Sequence, residues 1–290
     1  MSIAFNSQCI LCYLERNARK ANSLGTEEQA SAFLREMMGF LSTAPAQYSA
    51  PCFAPMTAEL YHRHYGLDMD RYRQEKADSN AFILERMEQI RQKVALASDP
   101  LLASLKFAIL GNYIDFAALE GKVSFQQLDE LLNSALEQEL DSSTYAALRR
   151  DLETGKTLLY LTDNAGEIGF DRICAEEIAR AYPHIRITFC VRGGPANNDA
   201  TREDAAAVGI PFPVIDNGTC IPGTWIPALG QEAKAAIAQA DVILAKGQGN
   251  AETMLGCGFN VYYAFLVKCI RFQELFHRPA LTPMLVRERS

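Results

Sequence analysis

The sequence predicts an α/β protein in which a Rossmann-like, mostly parallel sheet carries helices on both faces and follows an all-helical N-terminal lobe. In the second half of the chain, short continuous apolar runs alternate with helical segments, which is typical of parallel strands covered on both faces. In the first half, apolar residues recur at helical spacing instead. Because the character changes near residue 150, we expect a helical lobe at 1–145 and the α/β lobe at 146–290. Two lobes of one unit and two independent domains both fit this pattern.

The first half contains three long helical patterns. Residues 80–97 place apolar side chains on one helical face, and residues 123–140 do the same around Ser124, a residue type that favours the position before a helix. Residues 100–121 begin with Pro100, which suits a first helical turn, and are apolar nearly all round. We therefore expect the segment 100–121 to be the buried central helix of the N-terminal lobe.

Five short apolar runs in the second half are candidate strands. They are residues 157–161, 186–191, 212–215, 241–245 and 261–267. Helical patterns separate them, and the clearest of these span residues 168–181 and 231–240. The chain after residue 267 shows no pattern that assigns it to an element. The alternation predicts β-α-β crossovers, which place the strands side by side in one sheet.

The composition is that of an ordinary globular protein and argues against two kinds of partner. Of the 290 residues, 49% are apolar and 22% are charged, and the formal net charge is −7. A surface that binds nucleic acid would be basic, so we expect no nucleic-acid partner. No apolar run approaches the roughly 18 residues that span a bilayer, and the N-terminus lacks the basic start of a signal peptide. We expect no membrane partner and a cytoplasmic location, where the eight cysteines would be thiols.

Three polar loops follow three of the predicted strands. They read TDNAGEIGFD after residues 157–161, RGGPANNDATRED after residues 186–191 and KGQGNAET after residues 241–245. Ligand sites of open α/β sheets form outside the carboxyl ends of the strands. Each loop combines glycines with Asp, Asn, Lys or Glu, so we expect the three loops to meet in one site.

Oxygen and ammonium groups in these loops suit a metal ion and a phosphate. Asp163 and Asn164 offer a carboxylate and an amide oxygen, and Asp199 offers a second carboxylate; Mg²⁺ and Mn²⁺ prefer such oxygen ligands. Lys246, followed by Gly247, suits an oxyanion that contacts both an ammonium group and backbone N–H groups. Taken singly, the first loop fits a helix-capping turn equally well, and the second fits a surface turn better. Together, the loops carry the groups that metal-assisted phosphoryl transfer needs.

Six short motifs resemble those of the damage-control phosphatase family, metal-dependent phosphatases first catalogued as a domain of unknown function. Three of them lie in the loops and read DNAGEIGFDR, NNDATREDA and AKGQGNAETM. Near the start, CILC resembles the cysteine pair of the prokaryotic branch of the family. DMDRYRQEKADSN resembles a Tyr-x-x-x-Lys-x-x-x-Asn segment, here Tyr72, Lys76 and Asn80. AILGNYIDFA resembles a Gly-Asn-x-x-Asp element. The motifs are in order along nearly the whole chain.

The resemblance implies a site in a cleft between the helical lobe and the Rossmann-like lobe. It implies that Asp163, Asn164 and Asp199 hold the metal and that Lys246 contacts the substrate phosphate. Asp163, Asp199 and Lys246 are then the predicted catalytic residues. The predicted substrate-binding residues are Asn112, Asp115, Glu167, Lys246, Gly247 and Asn250.

Our hypothesis is therefore a metal-dependent phosphatase that acts on small phosphorylated metabolites, such as sugar phosphates or damaged phosphometabolites. The expected cofactor is Mg²⁺ or Mn²⁺, with Co²⁺ and Ni²⁺ as further candidates. Two alternatives remain: a non-catalytic metabolite-binding or regulatory protein that uses the same cleft, and a carboxyl methyltransferase. The missing glycine fingerprint of Rossmann nucleotide sites counts mildly against the methyltransferase. The substrate, the oligomeric state and the role of Cys9 and Cys12 stay open.

Overall fold

The computed structural model describes residues 3–120, 130 and 134–288, with residues 114–120 and 135 described by their backbone alone. The predicted helix at 123–140 falls mostly outside these residues. Of that segment, Ala135–Glu137 form a short 3₁₀ helix. Within the described residues, no helix has both the length and the apolar character needed to cross a membrane.

Six strands form one sheet in the order β3-β2-β1-β4-β5-β6, the order of a doubly wound sheet. The strands are β1 (Thr157–Leu161), β2 (Arg186–Val191), β3 (Val214–Asp216), β4 (Val242–Lys246), β5 (Val261–Leu266) and β6 (Pro283–Arg287). All neighbouring pairs are parallel except β5 and β6, which are antiparallel. The predicted fold class, a mostly parallel sheet flanked by helices, is confirmed.

The strand β6 is the one element of the sheet that we did not predict. It begins at Pro283, a residue that cannot donate to a ladder and is tolerated at the first position of an edge strand. Its burial alternates along the strand, unlike the fully buried β4 and β5. A half-buried edge strand of five residues therefore lacks the continuous apolar run by which the other strands are recognisable.

Helices precede the sheet along the chain and connect its strands. They are α1 (Ser7–Leu24), α2 (Glu27–Thr43), α3 (Ala54–Tyr65), α4 (Arg73–Leu84), α5 (Met87–Leu96), α6 (Pro100–Glu120), α7 (Ser142–Thr154), α8 (Glu167–Ala181), α9 (Arg202–Ala207), α10 (Gln231–Gln239), α11 (Gly247–Met254) and α12 (Ile270–Phe276). The pattern at 80–97 is two helices rather than one, because the chain turns at Glu85 and Arg86 between α4 and α5. Neither Gly nor Pro marks this turn, so apolar periodicity alone could not reveal it.

Two apolar cores lie on the two faces of the sheet, because alternate residues of each strand point to opposite faces. On one face, Tyr160 of β1 and Leu244 of β4 belong to a cluster that includes buried residues of α4 to α8. On the other face, Leu161 and Ala245 belong to a cluster that includes buried residues of α10, α11 and α12. The helices α1, α2 and α3 share a separate aromatic-rich core. This arrangement packs α4, α6 and α8 beside the strand ends that carry the three loops.

The domain boundary at residues 145 and 146 stays a prediction. The helix α7 spans that position, and its buried Tyr145, Leu148 and Leu152 belong to the same apolar cluster as the sheet and α4 to α6.

Candidate active site

The three loops predicted to form a site follow β1, β2 and β4, whose carboxyl ends are adjacent in the sheet. Because β1 pairs with both β2 and β4, the loops after these strands diverge at the point where the strand order reverses. The first and second loops are also joined directly: Asn164 and Asp199 form an antiparallel bridge, and the Ala200 N–H donates to Asp163 O at 2.7 Å. The backbone thus fixes the separation of three predicted metal ligands.

Asp163 lies at the centre of a buried polar cluster. Its Oδ2 atom accepts a hydrogen bond from Asn112 Nδ2 at 2.6 Å and another from Asn164 Nδ2 at 2.9 Å. Burial raises the pKa of Asp163 well above its usual range, and the negative charges of Glu167 and Asp199 raise it further. Burial and two neighbouring carboxylates therefore both disfavour the charged form of Asp163.

The two asparagine amides are oriented by carboxylates. Glu167 Oε2 accepts from Asn112 Nδ2 at 2.8 Å and from Asn164 Nδ2 at 3.1 Å. Because both NH₂ groups are held in this way, the amide oxygens are left for other partners. Asn112 Oδ1 is buried and has no hydrogen-bond partner among the described residues. A buried acceptor without a donor is costly unless a ligand satisfies it.

Lys246 is fully buried and makes three contacts through its ammonium group. Its Nζ atom lies 2.6 Å from Glu167 Oε1 and 2.9 Å from Asp171 Oδ1, and it donates to Ala108 O at 2.7 Å. Burial lowers the pKa of Lys246, but the charges of Asp171 and Glu167 outweigh this effect and raise the pKa above its ordinary value. The ammonium is thus permanently charged. Its predicted contact with a substrate phosphate stays a prediction, and would require one of these three acceptors to be exchanged.

Asp199 is held by a buried arginine that we did not select from the sequence. Arg192 Nε donates to Asp199 Oδ2 at 2.6 Å, and Arg192 Nη2 donates to Thr162 O at 3.0 Å. Arg192 is 1% exposed. One oxygen of Asp199 is therefore engaged by the guanidinium, which also ties the second loop to the end of β1. The available signal was the position of Arg192 directly after an apolar strand and before two glycines.

The third loop approaches Asp163 closely. Gly247 has φ of +78°, and a Cβ atom added there would overlap Asp163 Oδ2, so the position requires glycine for both reasons. Asn250 is buried and donates to Lys246 O at 2.6 Å and to Thr162 O at 3.0 Å. Asn250 thus joins the first and third loops. Its role in substrate binding stays a prediction.

One predicted site residue lies outside the described side chains. The backbone of α6 is described through Asp115, but its side chain is not. Lys76 and Asn80 of α4 lie beside the site, where Asn80 contacts Gly166 and Asp204, although the sequence indicated them only as part of a motif.

The donor set fits a divalent cation. The described residues contain no group of three or more His, Cys, Asp or Glu side chains placed to hold a metal. The set that could hold one instead combines the carboxylates of Asp163 and Asp199 with the amide oxygen of Asn164. Hard cations such as Mg²⁺ and Mn²⁺ accept this mixture of oxygen donors. Two features would be relieved by a bound cation or ligand: the raised pKa of Asp163, and the Asn112 Oδ1 atom, which has no hydrogen-bond partner among the described residues.

Comparison with known proteins supports the family resemblance that the six motifs indicate. The model of the damage-control phosphatase ARMT1-like domain matches residues 5–278. A damage-control phosphatase from Pyrococcus horikoshii is 32% identical over 214 residues, which are 73% of this chain and 71% of that protein. A damage-control phosphatase from Archaeoglobus fulgidus is 31% identical over 212 residues, with 71% and 72% covered. An uncharacterised protein from Methanocaldococcus jannaschii is 28% identical over 281 residues, with 92% and 90% covered.

The fold agrees as well. A crystal structure of a DUF89 family protein from Pyrococcus horikoshii superimposes with a TM-score of 0.83 at 26% identity and covers 99% of each chain. The names of the two relatives support a phosphatase role in the family. The resemblance noted in the motifs is confirmed: this chain belongs to the damage-control phosphatase ARMT1-like domain family.

Proposed function

We propose that this protein hydrolyses small phosphate esters with the help of a divalent metal ion bound at the ends of β1 and β2. The observation that carries the proposal is the backbone bridge that sets Asn164 of the first loop beside Asp199 of the second. Next to this bridge, the Asp163 carbonyl accepts a hydrogen bond from the N–H of Ala200, which follows Asp199. Three oxygen-bearing side chains from two loops are thereby held in one buried place. The candidate substrates are sugar phosphates and damaged phosphometabolites.

The charge of the cluster supports a divalent cation rather than a bare anion site. The three loops and α8 carry seven buried charged side chains, and Lys76 of α4 pairs with one of them, Asp204. They are Asp163, Glu167, Asp171, Asp199, Asp204, Arg192 and Lys246. If all eight groups are ionised, five carboxylates and three cations leave a formal charge of −2. A phosphate dianion would be repelled by this cluster, whereas a divalent cation would neutralise it first.

In the proposed mechanism, Asp163, Asn164 and Asp199 would hold the metal. A divalent cation in that position would supply Lewis-acid polarisation of the phosphate ester and stabilise the charge that develops in the transition state. Glu167 turns the Asn164 amide so that its oxygen is available, and Arg192 fixes one oxygen of Asp199. These contacts set the ligands in place before the metal binds.

The substrate phosphate has a candidate position at the start of α11. No side chain caps this helix, whose N-cap is Lys246, so the N–H groups of its first turn are not taken by a side-chain cap. Helix N-termini favour anions. The other predicted substrate contacts are kept as part of the proposal. They are Asn112, Asp115, Glu167, Lys246, Gly247 and Asn250.

The test is phosphate release from a panel of phosphate esters in the presence of Mg²⁺, Mn²⁺, Co²⁺ or Ni²⁺. We expect turnover with at least one ester, abolished by a chelator and by Asp163→Asn. The matched control is Glu288→Gln, which also neutralises a buried carboxylate but lies where its partners are Tyr263 and Gly256. We expect this variant to keep the wild-type rate.

Three results would contradict the proposal. The first is the absence of any cleavage with every metal, and the second is full activity of Asp163→Asn. The third is transfer of a methyl group from adenosylmethionine to a carboxyl acceptor, which would favour the methyltransferase. Saturable binding of a phosphorylated metabolite without turnover would favour a binding or regulatory protein.

A further inference from the structure

Through one asparagine, the helix α4 contacts the loop after β1 and the helix α9, which directly follows the second loop. Asn80 is 4% exposed. Its Oδ1 atom accepts a hydrogen bond from the Gly166 N–H at 2.7 Å, in the loop after β1. Its Nδ2 atom donates to Asp204 Oδ1 at 2.8 Å, on the helix that follows the second loop. A single buried amide thus joins two segments that are distant in sequence.

A lysine one helical turn earlier reinforces the same contact. Lys76 Nζ lies 2.6 Å from Asp204 Oδ2 and donates to Thr201 Oγ1 at 3.4 Å. The spacing of four residues places Lys76 and Asn80 on one face of α4. The side chains of Lys76 and Asp204 are 8% and 6% exposed, so this ion pair is largely withdrawn from solvent. Each oxygen of the Asp204 carboxylate is therefore engaged by α4.

Asp204 also binds the end of the second loop through Thr201. Its Oδ2 atom also accepts from the N–H and the Oγ1 of Thr201, each at 2.8 Å. Thr201 is bridged to Arg192, and Arg192 donates to Asp199. The chain of contacts therefore runs from α4 to a proposed metal ligand without a gap.

The first loop touches α4 at a glycine. Gly166 has φ of +75°, and a Cβ atom added there would lie 2.9 Å from Ser79 Cβ. The backbone of the loop is therefore seated directly on α4, two residues after Asn164. Close approach and the left-handed conformation both require glycine.

We propose that Asn80 and Lys76 are positioning residues, which act through Asp204 and Gly166 to hold the loops after β1 and β2 in the geometry that binds the metal. The inference rests on the proposed function for the identity of the ligand. It assigns to α4 a role that none of our predicted site residues covers. Partners that orient metal ligands typically contribute about 10- to 100-fold to metal affinity or activity.

A charge-conserving swap tests this assignment. In Asn80→Asp, two carboxylate oxygens would face each other where Nδ2 now donates to Asp204 Oδ1. In Asp204→Asn, two NH₂ groups would compete for that contact, and Lys76 would lose its counter-charge. In the double variant, the amide at position 204 donates to the carboxylate at position 80, and the bonds from Gly166, Thr201 and Lys76 keep their acceptors. The double variant therefore keeps every hydrogen bond with one direction reversed, and it moves the negative charge near Lys76 from position 204 to position 80.

A second pair of variants separates positioning from stability. Asn80→Leu removes both bonds and keeps the number and branching of the side-chain heavy atoms, although leucine is the larger residue. Asn17→Leu is its matched control, because Asn17 is also a helical asparagine, is 5% exposed, donates to Tyr13 O at 2.7 Å and accepts from the Tyr61 hydroxyl at 3.0 Å. These contacts lie within the α1 to α3 core, away from the loops.

The measurements are Mn²⁺ affinity by calorimetry and amide hydrogen exchange of residues 163–169 and 198–204 in the metal-free protein. We expect each single swap variant and Asn80→Leu to bind Mn²⁺ about 10- to 100-fold more weakly and to exchange faster in both segments. We expect the double variant to recover most of both losses, and Asn17→Leu to keep the wild-type values even if it melts earlier.

Single variants with wild-type affinity and exchange would overturn the inference, and so would a double variant whose losses are the sum of the two single ones. If wild-type protein binds no Mn²⁺ and cleaves no ester, the proposed function fails, while the exchange data still decide whether α4 holds the loops. If the swap variants do not fold, the comparison of Asn80→Leu with Asn17→Leu decides the question.

Discussion

Replacement of Lys246 by methionine should destabilise the protein strongly, because it removes the cation that the buried carboxylates of Glu167 and Asp171 share. The ammonium, Glu167 and Asp171 are all 0% exposed, and the two ion pairs measure 2.6 and 2.9 Å. Methionine fills a similar volume without charge. The perturbation therefore leaves two carboxylates facing each other in the interior with no positive charge between them.

The magnitude follows from the burial. Removal of one partner of a buried ion pair costs about 3–5 kcal/mol, since the remaining charge is neither solvated nor paired. Two carboxylates depend on this one lysine, so we expect the upper part of that range. In a chain of this size, the melting temperature should fall on the order of 10 °C.

The loss should depend on pH in a defined direction. Burial raises the pKa of Asp171 to about 7, and the charge of Lys246 limits this rise. Without Lys246 the pKa of Asp171 rises further, so the folded variant takes up a proton that the unfolded chain, with an aspartate pKa of about 3.9, does not bind near neutral pH. A group that binds more protons in the folded state makes stability fall as pH rises. The deficit of Lys246→Met should therefore be smaller at pH 6 than at pH 9.

Differential scanning calorimetry of wild type and Lys246→Met across this pH range is the assay. The variant Lys246→Met with Asp171→Asn is the control, because it removes one carboxylate together with the cation and should recover part of the lost stability. A Lys246→Met protein within about 1 kcal/mol of wild type, or a deficit that shrinks with rising pH, would refute the reasoning about the buried group.

Two further substitutions test the geometry of the loops. Gly247→Ala should displace Asp163 and lower phosphatase activity and Mn²⁺ affinity together. Its control is Gly258→Ala, because Gly258 has a similar φ of +79° but an added Cβ atom would have no neighbour within 4 Å among the described residues. This control should cost only the backbone strain of about 1–2 kcal/mol. Equal activity of the two variants would contradict the close approach. Arg192→Met should release Asp199 and reduce kcat about 10- to 100-fold, as measured in steady-state assays; unchanged kinetics would show that Arg192 does not orient this carboxylate.

Much of the fold could be predicted from the sequence, for identifiable physical reasons. The strands β1 and β2 coincide with their apolar runs because buried parallel strands are apolar on both faces. The edge strand β6 was not predicted, because it is half buried and starts with Pro283. The turn between α4 and α5 was not predicted either, because no Gly or Pro marks it. Local pattern thus identified the buried strands of the sheet and missed the edge strand and the turn.

The candidate site, like the fold, could be predicted from the sequence only in part. The rule that ligand sites form at the carboxyl ends of parallel strands selected the three loops, and the structure brings Asp163, Asn164 and Asp199 together there. The sequence could not show that Lys246 forms an ion pair with Glu167. Local sequence does not distinguish a lysine that is buried in an ion pair from one that is accessible to a ligand. Contacts of long sequence separation are the part that local motifs do not encode.

The contact between α4 and the loops has the same origin. Asn80 and Gly166 are 86 residues apart, and Asn80 and Asp204 are 124 residues apart. A motif marks Asn80 as a residue of interest, but only the packed structure gives it its partners.

The central claim is that the loops after β1 and β2 build a metal site, and a crystal soaked with Mn²⁺ and phosphate tests it most directly. Anomalous scattering locates the manganese without reference to any assumed chemistry. The account predicts a peak within coordination distance of Asp163, Asn164 and Asp199, with phosphate oxygen completing the coordination. A crystal with Mn²⁺ bound elsewhere, or with no anomalous peak at these three side chains at saturating Mn²⁺, would contradict it.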